Sequence, residues 1–247
     1  MKTAIIIPAR HKSSRFPGKP LAKILGKEMI LRVLNICAKV INKKNIYVAT
    51  DDNRIKRRVL ENNFQVIMTP KQCKTGTDRV AIASKKINAK IFVNVQGDEP
   101  VINYKDIIKI ISAKKKFPKS VICGYTKISK QENPKNLNLP KVVISKSKNL
   151  IYMSRLPIPG SKNSKPDSKK TFLKQVCIYA FNKNELNSFL KFGKKTYLEK
   201  FEDIEILRFF EIGIPIKMVE LKKPSIAVDV KSDLKKVELY LKNGKEN

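Results

Sequence analysis

The chain is poor in the residues from which most metal and nucleophile sites are built. It has one histidine, His11, among 247 residues. No multi-histidine metal site can form, and a His-dependent nucleophile would have only that residue to use. No Gly-x-Ser-x-Gly elbow accompanies it. The four cysteines, Cys37, Cys73, Cys123 and Cys177, lie far apart. A zinc site wants close Cys pairs, and none exists. Spaced thiols suit small buried positions in a reducing compartment. No apolar run approaches the roughly 18 residues of a membrane span. The apolar stretch from Ala4 ends at Pro8, short of the ~7–15-residue core of a secretory signal. The sequence therefore predicts a cytoplasmic protein without membrane insertion.

Negative charge is also scarce: 21 Asp and Glu stand against 53 Lys and Arg, a net charge of +32. That balance invites a basic nucleic-acid-binding protein as one alternative. The distribution argues against it. Lysines are spread along the whole chain, and aromatics for base stacking make up only 7% of residues. The abundance of Ile and Asn beside Lys points to an A- and T-rich genome instead. The charge still favours anionic substrates.

At 42% apolar residues the chain is not disordered, and its length can bury a sizeable core. Short apolar runs without polar alternation read as buried parallel strands: Ala4 to Ile7, Ile46 to Ala49, Val66 to Met68 and Ile91 to Val95. Between them, Ile30, Val33, Leu34, Cys37, Val40 and Ile41 recur at helical spacing, as do Ile107, Ile108, Ile110 and Ile111. Later, Lys141 to Ser145 and Val176 to Phe181 read as strands, and Ser161 to Lys170 as a polar loop. The pattern predicts one helix from Thr196 to Phe210 and a short strand from Ile226 to Val230. Alternating strands and helices imply an α/β sandwich with a mostly parallel sheet.

Each early strand runs into polar residues at its C-terminal end, where open α/β sheets bind ligands. The first meets Arg10, Lys12, Ser13, Ser14, Arg15, Gly18 and Lys19. The second meets Thr50, Asp51 and Asp52. The third leads to Thr75-Gly76-Thr77-Asp78-Arg79, and the fourth to Gln96-Gly97-Asp98-Glu99-Pro100. No P-loop or dinucleotide fingerprint is present, so a different phosphate cradle is needed. Arg10 and Arg15 offer planar forks to phosphate oxygens and Lys19 a point charge. Asp98, after a buried strand, is placed to hold Mg²⁺, which takes one or two carboxylates plus phosphate oxygens. Asp229 can supply the second carboxylate or serve as a turn residue. Asp233 fits a capping role better.

These segments resemble the CMP-Kdo synthetases (3-deoxy-manno-octulosonate cytidylyltransferases), nearly end to end. The carrying motifs are Ile7-Pro8-Ala9-Arg10 through Ser14-Arg15-Phe16-Pro17-Gly18-Lys19-Pro20-Leu21, Val48-Ala49-Thr50-Asp51, Thr75 to Arg79, and Asn94-Val95-Gln96-Gly97-Asp98-Glu99-Pro100. Lys141-Val142-Val143, Ser154-Arg155, Leu198-Glu199, Glu205 with Arg208, and Val228-Asp229 follow. The resemblance implies a Rossmann-like three-layer sandwich, a single cytidylyltransferase domain over residues 1–247, and sugar-binding and dimerisation elements at about 140–225. It implies CMP transfer from CTP to an acidic eight-carbon sugar, Kdo, for lipopolysaccharide synthesis, with Mg²⁺ as cofactor. Arg10, Lys19 and Asp98 are then the catalytic candidates. Arg10, Ser13, Ser14, Arg15, Lys19, Thr75, Gly76 and Thr77 would bind CTP. Arg79, Gln96, Arg155, Gln175, Tyr179, Glu202 and Glu205 would face the sugar. Asp98 and Asp229 would hold the metal. A homodimer is expected.

The pattern departs from the family on the sugar side. Gln175 stands where His is usual, Ile206 interrupts Glu-Gln-Leu-Arg, and Gly160 replaces an aromatic. A lost hydrogen-bond partner costs about 1–3 kcal/mol if a sugar hydroxyl stays buried. With Glu202 and Asp203 nearby, 8-amino-3,8-dideoxy-manno-octulosonate or another keto-deoxy sugar acid stands as the alternative substrate.

Overall fold

The computed structural model describes residues 2–12, 15–129, 131–162, 171–222 and 225–244. Ser13, Ser14 and most of the 161–170 loop lie outside the described residues. The N-terminal strand β1 (Thr3–Ala9) is followed by a small hairpin, β2 (Lys23–Ile24) and β3 (Lys27–Glu28), and by helix α1 (Met29–Ala38). Then come β4 (Ile46–Thr50), α2 (Asn53–Leu60), β5 (Gln65–Met68), α3 (Gly76–Ser84), β6 (Ile91–Val95) and α4 (Tyr104–Lys116). The second half holds β7 (Val121–Lys127), β8 (Lys141–Ile144), β9 (Leu150–Ser154) and β10 (Leu173–Phe181). It continues with α5 (Lys183–Phe192), α6 (Tyr197–Glu202), α7 (Leu207–Glu211), β11 (Ile216–Glu220) and α8 (Asp233–Lys242).

Among the described residues, the main sheet runs β11-β7-β10-β6-β1-β4-β5, with β8 and β9 attached to β10. Along that path only β10 is antiparallel to its neighbours. The expected α/β sandwich with a mostly parallel sheet is therefore present. The apolar runs are continuous because both faces of the sheet are covered. In β1, Ile5 and Ile7 pack with Leu34 of α1, Val59 of α2 and Ile110 of α4. Ala4 and Ile6 face the other layer, with Val80 of α3, Phe189 of α5 and Phe209 of α7. Each fully buried Ile contributes about 1.5–3 kcal/mol.

The topology fixes the ligand position. From β1 the chain moves one way to β4 and β5, then crosses back so that β6 lies on the other side of β1. Connections diverge between β1 and β6, which opens a crevice at their C-terminal ends. Arg10 follows β1 there, and Gln96 to Asp98 follow β6.

Two expected elements differ. The stretch from Thr196 to Phe210 is two helices, α6 and α7, broken at Asp203, which adopts φ 48°. Asp tolerates that left-handed geometry, and the carbonyls of Glu202 and Asp203 accept from the Arg155 guanidinium rather than continuing a helix. The segment from Ile226 to Val230 forms no strand. Val228 makes one backbone bond, its N–H to Asp98 O at 2.9 Å, and buries its side chain against Ile24, Met29, Val101 and Val237.

Gly124 in β7 marks a close approach in the sheet. A Cβ there would lie 2.7 Å from Leu221 Cδ1, 3.0 Å from Ile178 Cγ2 and 3.2 Å from Val176 O. Gly124→Ala should cost about 1–3 kcal/mol by overpacking. Urea unfolding checks this, and a wild-type midpoint would contradict it.

Candidate active site

The loop after β1 returns to the crevice through one constrained turn. Gly18 adopts φ 74°, which favours glycine. Its N–H donates to His11 O at 2.9 Å, closing the loop on itself. Gly18 then opens a short 3-10 turn, Lys19–Leu21, with Pro20 in its first positions. This turn aims Lys19 inward. Its Nζ donates to Asp98 Oδ2 at 2.7 Å and to Val228 O at 2.8 Å.

Asp98 reaches the crevice because Gly97 lets the ends of β1 and β6 converge. A Cβ at Gly97 would stand 3.1 Å from Pro8 O and 3.4 Å from Ile7 Cγ2. Asp229 arrives from the C-terminal segment, anchored by Val228. Its backbone N–H and that of Val230 both donate to Asp233 Oδ2 at 3.0 Å. Burial would push the Asp233 carboxyl up, but Lys236 and these amides hold it below the usual carboxylate range. Asp233 is not the helix cap expected from the sequence: it is the first residue of α8, after Ser232, and ties down the preceding turn instead, while the Asp229 side chain pairs with Arg15 at 3.2 Å.

The third wall is the N-terminus of α3. Thr75 accepts from Asp78 N at 3.1 Å, while Asp78 Oδ2 accepts from Thr75 N at 2.9 Å, a capping box. The next residue, Gly76, lies against the Gln96 amide, so the helix start meets the cleft without a side chain. A buried arginine fixes this helix from behind. Arg208 Nη1 donates to Asp78 Oδ1 at 2.9 Å, and its Nε and Nη2 donate to the two Glu199 oxygens at 2.7 Å each. Its guanidinium carbon sits 3.7 Å from the Phe189 ring centroid.

The resulting cleft is lined by Arg10, Arg15, Lys19, Lys74 and Arg79 against the carboxylates of Asp98 and Asp229, with Thr75, Gly76, Gln96 and Gly97 between. An excess of cations beside a helix N-terminus suits a polyanion. The carboxylate oxygens, hard donors in the same wall, fit Mg²⁺, which binds through one or two carboxylates and completes its shell with phosphate and water.

Residues 4–222 match the cytidylyltransferase family model. The chain belongs to this family. A 3-deoxy-manno-octulosonate cytidylyltransferase of Porphyromonas gingivalis is 37% identical over 247 residues, 96% of each chain. An 8-amino-3,8-dideoxy-manno-octulosonate cytidylyltransferase of Shewanella frigidimarina is 37% identical over 98% of this chain and 99% of its own. The solved structure of CMP:2-keto-3-deoxy-manno-octonic acid synthetase complexed with CTP superposes with a TM-score of 0.91 at 34% identity, covering 99% of this chain and all of that one.

Within this cytidylyltransferase the sequence-predicted residues divide into two sets. Arg10, Arg15, Lys19, Thr75, Gly76, Arg79, Gln96, Asp98 and Asp229 line one cleft. Arg79 is already engaged, donating to Thr69 Oγ1 and, at 3.2 Å, to Asp51 Oδ2. Thr77, Arg155, Gln175, Tyr179, Glu202 and Glu205 do not line that cleft. Thr77 is buried, and its N–H donates to Glu205 Oε2 at 2.9 Å, so Glu205 supports the start of α3. Burial pushes the Glu205 carboxyl up, with that amide pulling the other way. Gln175 Nε2 donates to Tyr179 Oη at 3.1 Å within the sheet, and burial drives the tyrosine hydroxyl well above its ordinary range.

Arg155 and Glu202 form a separate knot. The Arg155 N–H donates to Glu202 Oε2 at 2.8 Å, and its guanidinium reaches Leu137 O at 2.7 Å and Asp203 O at 2.9 Å. Sequence reasoning missed Lys74 as a lining cation and Arg208 as the brace of α3. Lys74 had a signal, its place immediately before Thr75. Arg208 had a weaker one, a lone arginine in the apolar run Ile206-Leu207-Arg208-Phe209-Phe210.

Proposed function

We propose that this cytidylyltransferase transfers CMP from CTP to the anomeric hydroxyl of 3-deoxy-manno-octulosonate and releases pyrophosphate. The observation that carries the reading is the junction of three walls at one crevice. The cation loop, the α3 N-terminus and the Asp98–Asp229 pair meet there, in a chain alike over its full length to a synthetase complexed with CTP. The sugar hydroxyl oxygen forms a bond to the α-phosphorus and gives up its proton to solvent water. The bond from that phosphorus to the bridging oxygen breaks, and pyrophosphate leaves with the electron pair. Arg10, Arg15 and Lys19 neutralise the triphosphate and the charge that grows on the leaving group. The Thr77 and Asp78 N–H groups at the α3 start are bonded within the protein, so that wall contributes the positive end of the helix and the side-chain-free backbone of Gly76. Asp98 and Asp229 would hold Mg²⁺, which supplies Lewis-acid charge at phosphate oxygens. With CTP as substrate the reaction belongs in the cytoplasm.

Kdo is preferred over the 8-amino sugar. The amino-sugar alternative needs acidic side chains to meet an ammonium. Glu202 accepts from the Arg155 amide and from Tyr152 Oη at 3.3 Å, and Asp203 pairs with Lys195 at 2.6 Å. Neither lines the cleft. A comparison of kcat/KM for the two sugars should favour Kdo, and equal or better turnover of the amino sugar would overturn this choice.

A homodimer fits the exposed apolar surface. Phe201 and Tyr197 on α6 are 72% and 69% exposed, their rings 4.7 Å apart, and Leu156 beyond β9 is 64% exposed. The Arg155–Glu202 knot holds these segments side by side. Exposed aromatic and aliphatic side chains on adjoining segments mark an interaction surface. Phe201→Lys should yield monomers by sedimentation velocity, with wild-type behaviour contradicting the interface.

A further inference from the structure

Both carboxylates proposed as metal ligands already carry cations of the chain itself. Lys19 Nζ sits 2.7 Å from Asp98 Oδ2 and 2.8 Å from Val228 O, with only 14% of its side chain exposed. Arg15 Nη2 sits 3.2 Å from Asp229 Oδ1. A carboxylate and a peptide carbonyl are the oxygen donors a hard divalent ion prefers, and here they surround an ammonium. Both cations come from one loop, the one that follows β1. Among the described residues, no group of three His, Cys, Asp or Glu side chains could hold a metal without other ligands.

A divalent ion approaching Asp98 meets the Lys19 charge a few ångströms away, where like charges repel strongly outside bulk water. A triphosphate changes the balance. It offers Lys19 and Arg15 several anionic oxygens, with better fork geometry for the arginine than one carboxylate oxygen provides.

We infer that Lys19 and Arg15 are exchangeable counterions. In the nucleotide-free protein they neutralise Asp98 and Asp229 and exclude free divalent metal. When CTP enters they move to its phosphates, and the two carboxylates become available to the metal at that moment. Metal binding is therefore coupled to nucleotide binding by a charge swap within one loop. This inference rests on the CTP reading above, but its test needs no nucleotide.

The test titrates Mn²⁺ into nucleotide-free protein and follows the free ion by electron paramagnetic resonance. Lys19→Gln should bind Mn²⁺ at least about tenfold more tightly than wild type. Adding Asp98→Asn to that variant should remove the gain. Unchanged or weaker Mn²⁺ affinity in folded Lys19→Gln would overturn the proposal. If that variant does not fold, Arg15→Gln replaces it, because the Arg15 side chain is 58% exposed and unneeded for packing. Tighter Mn²⁺ binding through Asp229 would then support the proposal, and unchanged binding would overturn it. Failure of the CTP reading would show separately, as wild-type protein that releases no pyrophosphate from CTP and sugar.

Discussion

Asp98→Asn is expected to lower kcat for pyrophosphate release by at least about a hundredfold, the scale set by removing one preorganised electrostatic group from a transition state. The substitution changes charge and little else. The backbone carbonyl of residue 98 still accepts from Val228 N, so the C-terminal segment stays docked. Lys19 loses a part-buried ion pair but keeps its bond to Val228 O, and the amide oxygen of the substituted side chain can still accept from it. The melting temperature should therefore stay near wild type while turnover collapses. Arg10, Arg15 and Lys19 remain to hold the triphosphate, so KM for CTP should move much less than kcat. A folded Asp98→Asn protein with turnover within tenfold of wild type would remove Asp98 from the reacting centre.

Arg208→Met should produce the largest loss of stability. The arginine is 1% exposed and is the shared partner of Asp78 and Glu199. Methionine fills similar volume but leaves two carboxylates without their cation. Breaking a buried pair from one side costs about 3–5 kcal/mol. At about 2–4 °C per kcal/mol for a chain of this size, the melting temperature should fall by about 10 °C. The function should suffer beyond the unfolded fraction. Asp78 is also the capping partner of Thr75, so a displaced Asp78 loosens the helix start at the cleft. Denaturant unfolding together with kcat on the folded protein measures both effects. Wild-type stability would show that Asp78 and Glu199 do not depend on Arg208.

Much of the cleft lining was legible in the sequence because the sheet makes it so. Strands covered on both faces are continuous apolar runs, and a parallel sheet puts their polar followers on one edge. Arg10, Thr75 and Asp98 lie far apart in the chain and reach one cleft for that reason. The apolar residues from Ile226 to Val230 misled because they look like a buried strand, while Val228 is buried in a separate small cluster outside the sheet. The helix expected from Thr196 to Phe210 failed at one residue, Asp203, where a distant arginine draws the backbone carbonyls away. The brace at Arg208 left only the faint signal of a lone arginine in an apolar run, since its partner Asp78 is 130 residues away. Gln175, Tyr179 and Glu205 were placed by resemblance alone, and local pattern does not reveal that their polar atoms bond within the fold.

The most direct test of the central claim is pyrophosphate release by the wild-type protein with Mg²⁺, CTP and 3-deoxy-manno-octulosonate, quantified against the CMP-sugar formed. The account predicts release that requires both CTP and the sugar, with one CMP-sugar for each pyrophosphate. Absence of release, or equal release when the sugar is left out, would contradict it.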